Sequence, residues 1–113
     1  MAELHDETTG ETVAADLRSA TALWPRVRGL MGRAGLGPGE ALDIRPCGSI
    51  HMMFMRFPID AVFYDRDGKV TKVGRAVHPW WGMAFGGRGA KGVIELAAGA
   101  AAKVEKGHQL RFE

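Results

Sequence analysis

A chain of 113 residues with 46% hydrophobic and 25% charged side chains can bury one core but not two, and its apolar runs fall short of the roughly 20 residues that span a bilayer. Its 15 basic and 13 acidic side chains are dispersed and leave a formal net charge of +2, with no basic block to engage a duplex, so no nucleic-acid partner is expected. One cysteine allows no internal disulfide, and the acidic, polar start from Met1 to Gly10 has neither the positive nor the apolar region of an export signal. The chain as given reads as cytoplasmic, or as periplasmic or secreted had a leader been removed.

Residues 1–15 read as a flexible lead or an edge strand, which leaves 16–113 as a single β-rich domain. Leu17, Leu23, Val27, Leu30 and Met31 recur at mostly helical spacing, with Ser19 or Thr21 available as a cap and Pro25 tolerated in the first turn. This predicts a short helix over about Ala22–Gly32, ended by Gly35-Leu36-Gly37-Pro38-Gly39. Strand signals follow. Ala41–Ile44 alternates, Ile50–Met55 is an apolar run, and Ile59–Tyr64 is rich in β-branched and aromatic residues before the turn Asp65-Arg66-Asp67-Gly68. Lys69–Val77 returns as the hairpin partner. Because Asp60, Val62 and Tyr64 alternate with Ile59, Ala61 and Phe63, the Ile59–Tyr64 strand is apolar on both faces and should be central.

After His78-Pro79-Trp80-Trp81, the stretch Gly82–Gly92 is too glycine-rich for regular structure and reads as a mobile loop. Val93–Leu96 reads as a strand and Ala97–Lys103 as a small turn of helix. Gln109–Phe112 reads as a closing strand with Leu110 and Phe112 inward.

Chemistry concentrates between Pro46 and Asp60. Cys47, His51, Met52, Met53, Met55, His78 and Met83 are soft groups suited to Cu(I), with Trp80 or Trp81 to cover the ion. Strand alternation, however, places Met52 on the face opposite Met53 and Met55, and methionines at this density commonly fill core gaps. Cys47 with His51 or His78 and Asp60 supplies the groups of a thiol nucleophile, but nothing near Cys47 would lower its pKa. Gly86–Gly92 offers backbone amides, Arg88 and Lys91 to a phosphate, yet lacks the Lys-Ser or Lys-Thr ending of a P-loop. Asp60 and Glu95 are the carboxylates of most interest. Each sits inside an apolar strand where an ionised group is costly unless paired, and Arg28, Arg33 and Arg56 are the candidate partners.

Several blocks taken together resemble a known but uncharacterised family, the domain of unknown function 192. They are Arg28-Gly29-Leu30-Met31-Gly32-Arg33, the run from Ser49 to Phe63, the turn to Gly68 with Val70, and Val93-Ile94-Glu95-Leu96-Ala97-Ala98-Gly99. The resemblance implies a compact, mainly β domain and no established activity. Arg28, Gly29, Leu30, Met31, Arg33, Met55, Asp60, Glu95 and Gly99 match its motif, whereas Gly107-His108 stands where the family usually has Gly-Asp. Many relatives begin with an export signal.

The expectation is therefore a mainly β, compact antiparallel sandwich or barrel-like domain with one short N-terminal helix, acting as a ligand- or partner-binding accessory module. Its ligand would be a small molecule or peptide, held in a groove of Arg28, Arg33, Met55, Asp60, Trp80 and Glu95, with no cofactor and no resident metal. The alternatives are a hydrolase or transferase using Asp60 and Glu95 as acid and base, which requires both carboxyls to open on one cavity, and a Cu(I)-binding protein. A partner-binding role would leave an exposed apolar patch around Trp80, Trp81 and Phe85.

Overall fold

Alternation of apolar and polar residues converts most of the chain into strand. The computed structural model describes residues 2–20, 35–52 and 55–113. Within them lie β1 (Ala2–Asp6), β2 (Glu11–Ala20), β3 (Glu40–Ile44), β4 (Ser49–His51), β5 (Ile59–Tyr64), β6 (Val70–Val77), β7 (Met83–Phe85), β8 (Gly92–Ala97) and β9 (Leu110–Phe112). The helix expected over 22–32 lies outside the described residues.

Seven strands form one sheet in the order β6-β5-β8-β3-β2-β1-β9, and β4 pairs with β7 in a separate ribbon. Pairing is antiparallel except between β2 and β3, where Asp16 to Ala20 run beside Glu40 to Ile44 in parallel. The long connection between those two strands permits that crossover. The sheet curls until its two outermost strands meet at one end. There Lys69 bridges Gln109, Val70 N–H donates to His108 O at 2.9 Å, and Leu110 N–H donates to Gly68 O at 2.9 Å. The result is a half-barrel, and no helix of the described residues is long and apolar enough to cross a membrane.

Both faces of this sheet are buried. Leu4, Leu17, Val62, Tyr64, Val70, Ile94, Leu96 and Leu110 converge from across the curl into a concave core, and Ala101 and Val104 close it. On the convex face Ile44, Ile50, Met52, Met55, Ile59, Phe63 and Val93 form a second core, covered in part by Ala84 of β7. All six residues of β5 are buried, with alternate side chains in the two cores, as a central strand requires. Each fully buried Val, Phe or Ile there contributes about 2 kcal/mol of transfer free energy. Gly92 stands opposite Tyr64 in the β5–β8 register, and a Cβ on it would lie 2.4 Å from the tyrosine hydroxyl oxygen, so only glycine fits beneath that ring.

Three local expectations change. Residues 1–15 supply β1 and the start of β2, and β1 is hydrogen-bonded on both sides, to β2 and to β9, rather than lying loose or at an edge. Gly82–Gly92 contains β7, because Met83 to Phe85 find a partner in Ser49 to His51. Ala97–Lys103 forms successive tight turns instead of helix, with Ala100 N–H on Ala97 O and Ala102 N–H on Gly99 O. Gly99 at φ +92° breaks the helical path, and a side chain from β5 captures the amides that a helix would use.

Candidate functional site

That side chain is Asp60. In the β5–β6 pairing Ile59 faces Val77 and Ala61 faces Gly74, so Arg75 and Ala76 together oppose Asp60, the geometry of a β-bulge. Ala76 adopts φ +47°, unusual for a residue with a side chain, and its N–H donates to Asp60 Oδ1 at 2.9 Å. Asp60 Oδ2 accepts Gly99 N–H and Ala101 N–H, each at 3.0 Å. With three amide donors and 2% exposure, this carboxylate is a tie between the end of β6 and the turn after β8. Arg75 reinforces the tie by donating to Ala101 O at 2.7 Å and Val104 O at 2.6 Å.

Glu95 lies on the other side of the sheet. Asp60 pairs with Leu96, and Ala61 pairs with Glu95, so successive positions on β5 send the two carboxyls to opposite faces. Glu95 is 5% exposed and has no hydrogen-bond or ion-pair partner among the described residues. Burial pushes its carboxyl from an ordinary 4.5 up to about 7. The acid and base pair considered from sequence needs both groups on one cavity, and the sheet itself separates them.

The remaining candidates also scatter. Met55 is 3% exposed in the convex core. Met52 joins it there, contrary to the alternation argument, and Met55 N–H donates to Met52 O at 3.0 Å. Cys47 points its thiol at Ser49 O, His51 is exposed, and Met83 is exposed. Arg28, Arg33 and Met53 lie outside the described residues. Among those described, Glu3, His5 and Glu113 bring three ligand-type atoms within 4.8 Å of one another, and His5 Nε2 sits 3.0 Å from Glu3 and 2.8 Å from Glu113. Glu3 and Glu113 are directly opposed across β1 and the end of β9, where two like charges repel unless a cation such as a histidinium lies between them.

Trp80 leads to a different place. The bulge held by Asp60 feeds into His78-Pro79-Trp80-Trp81-Gly82, a corner closed by Gly82 N–H on His78 O at 2.9 Å. A Cβ on Gly82 would lie 2.4 Å from that same carbonyl oxygen, so the turn admits only glycine. Trp80 is held at φ +72°, and its N–H donates to Met52 O at 2.7 Å while Met52 N–H donates to Gly82 O at 3.0 Å. A left-handed tryptophan costs of order 1–3 kcal/mol, and such strain persists only where the surroundings enforce it. The anchor here is Met52, buried to 1%.

What this rigid corner displays is apolar. Trp80, Trp81, Met83 and Phe85 are 55%, 72%, 60% and 56% exposed. The His78 ring stacks on the Trp81 indole with centroids 4.0 Å apart and planes inclined by 21°. His78 Nδ1 lies 2.7 Å from Pro79 O, which can only accept, so Nδ1 carries the proton and Nε2 faces away from that bond. Between this corner, β6 and β7 opens a cleft of about 530 Å³, lined by Lys72, Gly74, Val77, His78, Trp81, Met83 and Phe85 among others. Sequence reasoning singled out the tryptophans but missed Lys72, which reads as an ordinary exposed strand position, and placed Met83 and Phe85 in a mobile loop.

Fold and corner together define a curled β half-barrel with a fixed aromatic edge. The chain belongs to the domain of unknown function 192 family (DUF192, "Uncharacterized ACR"), whose model matches residues 4–112. Two solved structures are similar to it. A protein of unknown function from Novosphingobium aromaticivorans superposes with a TM-score of 0.83 at 20% identity, over 97% of this chain and 82% of that one. A putative transcription regulator from Sinorhizobium meliloti gives a TM-score of 0.82 at 22% identity, over 98% of this chain and 91% of that one. At these identities the likeness is one of fold. No curated protein matches the chain.

Proposed function

We propose that this domain is a small-ligand-binding module whose contact surface is the corner from His78 to Phe85 and the cleft beneath it. The observation that carries the reading is the exposure of four large apolar side chains on a backbone held in place from within. Scattered surface hydrophobics are ordinary, but Trp80, Trp81, Met83 and Phe85 are contiguous in the chain's corner and β7. The strain at Ala76 and Trp80 is enforced by Asp60 and Met52, so the aromatic surface is preformed and loses little freedom on binding. On this reading Asp60 is a positioning residue: it holds the bulge that aims the corner.

The test is a fragment library of ring-bearing and acyclic compounds, screened by NMR on the isotope-labelled protein. Hits should move the indole N–H signals of Trp80 and Trp81 and the amides of β7, and Trp81→Ala with Phe85→Ala should remove those shifts while the melting temperature stays within a few degrees. Hits that cluster elsewhere, or a screen with no saturable hit, would retire the proposal.

A further inference from the structure

The chemistry of the cleft points to a narrower class of ligand, an inference that rests on the binding reading above. We infer that the cleft takes a small anion carried on a planar ring, with the ring on Trp81 and the anionic group at Lys72. The described residues lining the cleft include Lys72, Arg75 and His78 but no carboxylate, so the local field is positive or neutral throughout. Arg75 already spends its guanidinium on two backbone carbonyls. Lys72, in contrast, makes no ion pair among the described residues and is exposed, which leaves one ammonium available to a ligand. Glu105 and Lys106 line a neighbouring groove that shares Lys72 and Arg75 with this cleft, but neither of them lines the cleft itself.

The ring requirement comes from Trp81. One face of its indole is covered by His78, yet the side chain is 72% exposed, so the opposite face is open to stack a second ring. His78 backs the indole, held in that position by its Nδ1–H bond to Pro79 O. A cleft of about 530 Å³ suits a single small molecule. One available lysine neutralises one anionic group. A polyanion such as nucleic acid would need a basic stripe, and the dispersed net charge of +2 supplies none.

The experiment compares 2-naphthoate, 2-naphthyl phosphate, neutral 2-naphthamide and acetate by isothermal titration calorimetry on the full chain at low salt, with Lys72→Ala and Trp81→Ala as variants. At least one naphthyl anion should bind saturably and about tenfold or more tightly than the amide, and acetate should not bind. Lys72→Ala should cut the affinity of that anion about tenfold with the amide unaffected, and Trp81→Ala should weaken every naphthyl probe. The carboxylate and phosphate arms decide which anion the site prefers. Equal binding of the amide and the anions, no effect of Lys72→Ala, or no binding by either anion overturns this ligand class. In the first two of those outcomes the binding module itself survives, whereas its own failure is read from the location of fragment hits.

Discussion

The two faces of the half-barrel treat buried carboxylates in opposite ways. On the concave side Asp6, Asp43 and Asp60 are at most 2% exposed, and each accepts several hydrogen bonds. Asp6 accepts Thr8 N–H at 3.0 Å and pairs with His108 at 2.8 Å, Asp43 takes the Tyr64 hydroxyl and the Arg45 guanidinium, and Asp60 takes three amides. On the convex side Glu95 is buried with no partner among the described residues, and the same side carries the ribbon that ends in exposed aromatics. A buried carboxylate with both oxygens hydrogen-bonded holds strands together. One without partners carries a desolvation penalty that nothing in the described structure repays.

That contrast can be broken at three points. The largest effect belongs to Asp60→Ala, which strands the amides of Ala76, Gly99 and Ala101 in the concave core. The expected loss is about 4 kcal/mol, read as a lower urea midpoint, and the bulge that aims the Trp80–Trp81 corner should loosen with it. A variant with an unchanged midpoint would show that the three amides find water instead.

Glu95→Gln tests the other face. Because the folded carboxyl titrates near 7 and the unfolded one near 4.5, the folded state holds more protons between those values, so its stability falls as pH rises through that window. Full stability is present below about 4.5 and the loss is complete above about 7, with an amplitude of about 3 kcal/mol. Thermal melts from pH 4 to 8 should show this slope in the native protein and a flatter profile in the Gln variant. A slope that persists in Glu95→Gln assigns the titration elsewhere.

The smallest effect on stability is expected from Trp81→Ala, because a side chain 72% exposed contributes little to the core. A change within about 0.5 kcal/mol in the urea midpoint is expected alongside the binding loss described above. A much larger change would turn the aromatic corner from a display surface into a piece of the packing.

Much of the fold was legible because its signals are local. The Ile59–Tyr64 strand, the Asp65–Gly68 turn, its hairpin return and the strand read at Val93–Leu96, which runs one residue further at each end, all follow from alternation and turn chemistry. The sequence reading also anticipated an exposed patch at Trp80, Trp81 and Phe85 for a partner-binding protein, and these side chains are exposed. β7 was illegible because Met83 to Phe85 become a strand only by pairing with residues about thirty positions earlier. The bulge at Arg75 and Ala76 left no mark either, since it depends on the Asp60 carboxylate reaching across from β5.

By itself, the sequence determined the class of the domain, its central strand and two of the four buried carboxylates among the described residues, Asp60 and Glu95, because hydrophobic period and the cost of burying charge are properties of short segments. Only the tertiary structure decided what those carboxylates are to each other. Asp60 opposes Leu96, and its neighbour Ala61 opposes Glu95. A register offset of one residue sends successive side chains through opposite faces of a sheet, and that offset is set by pairing between strands distant in the chain.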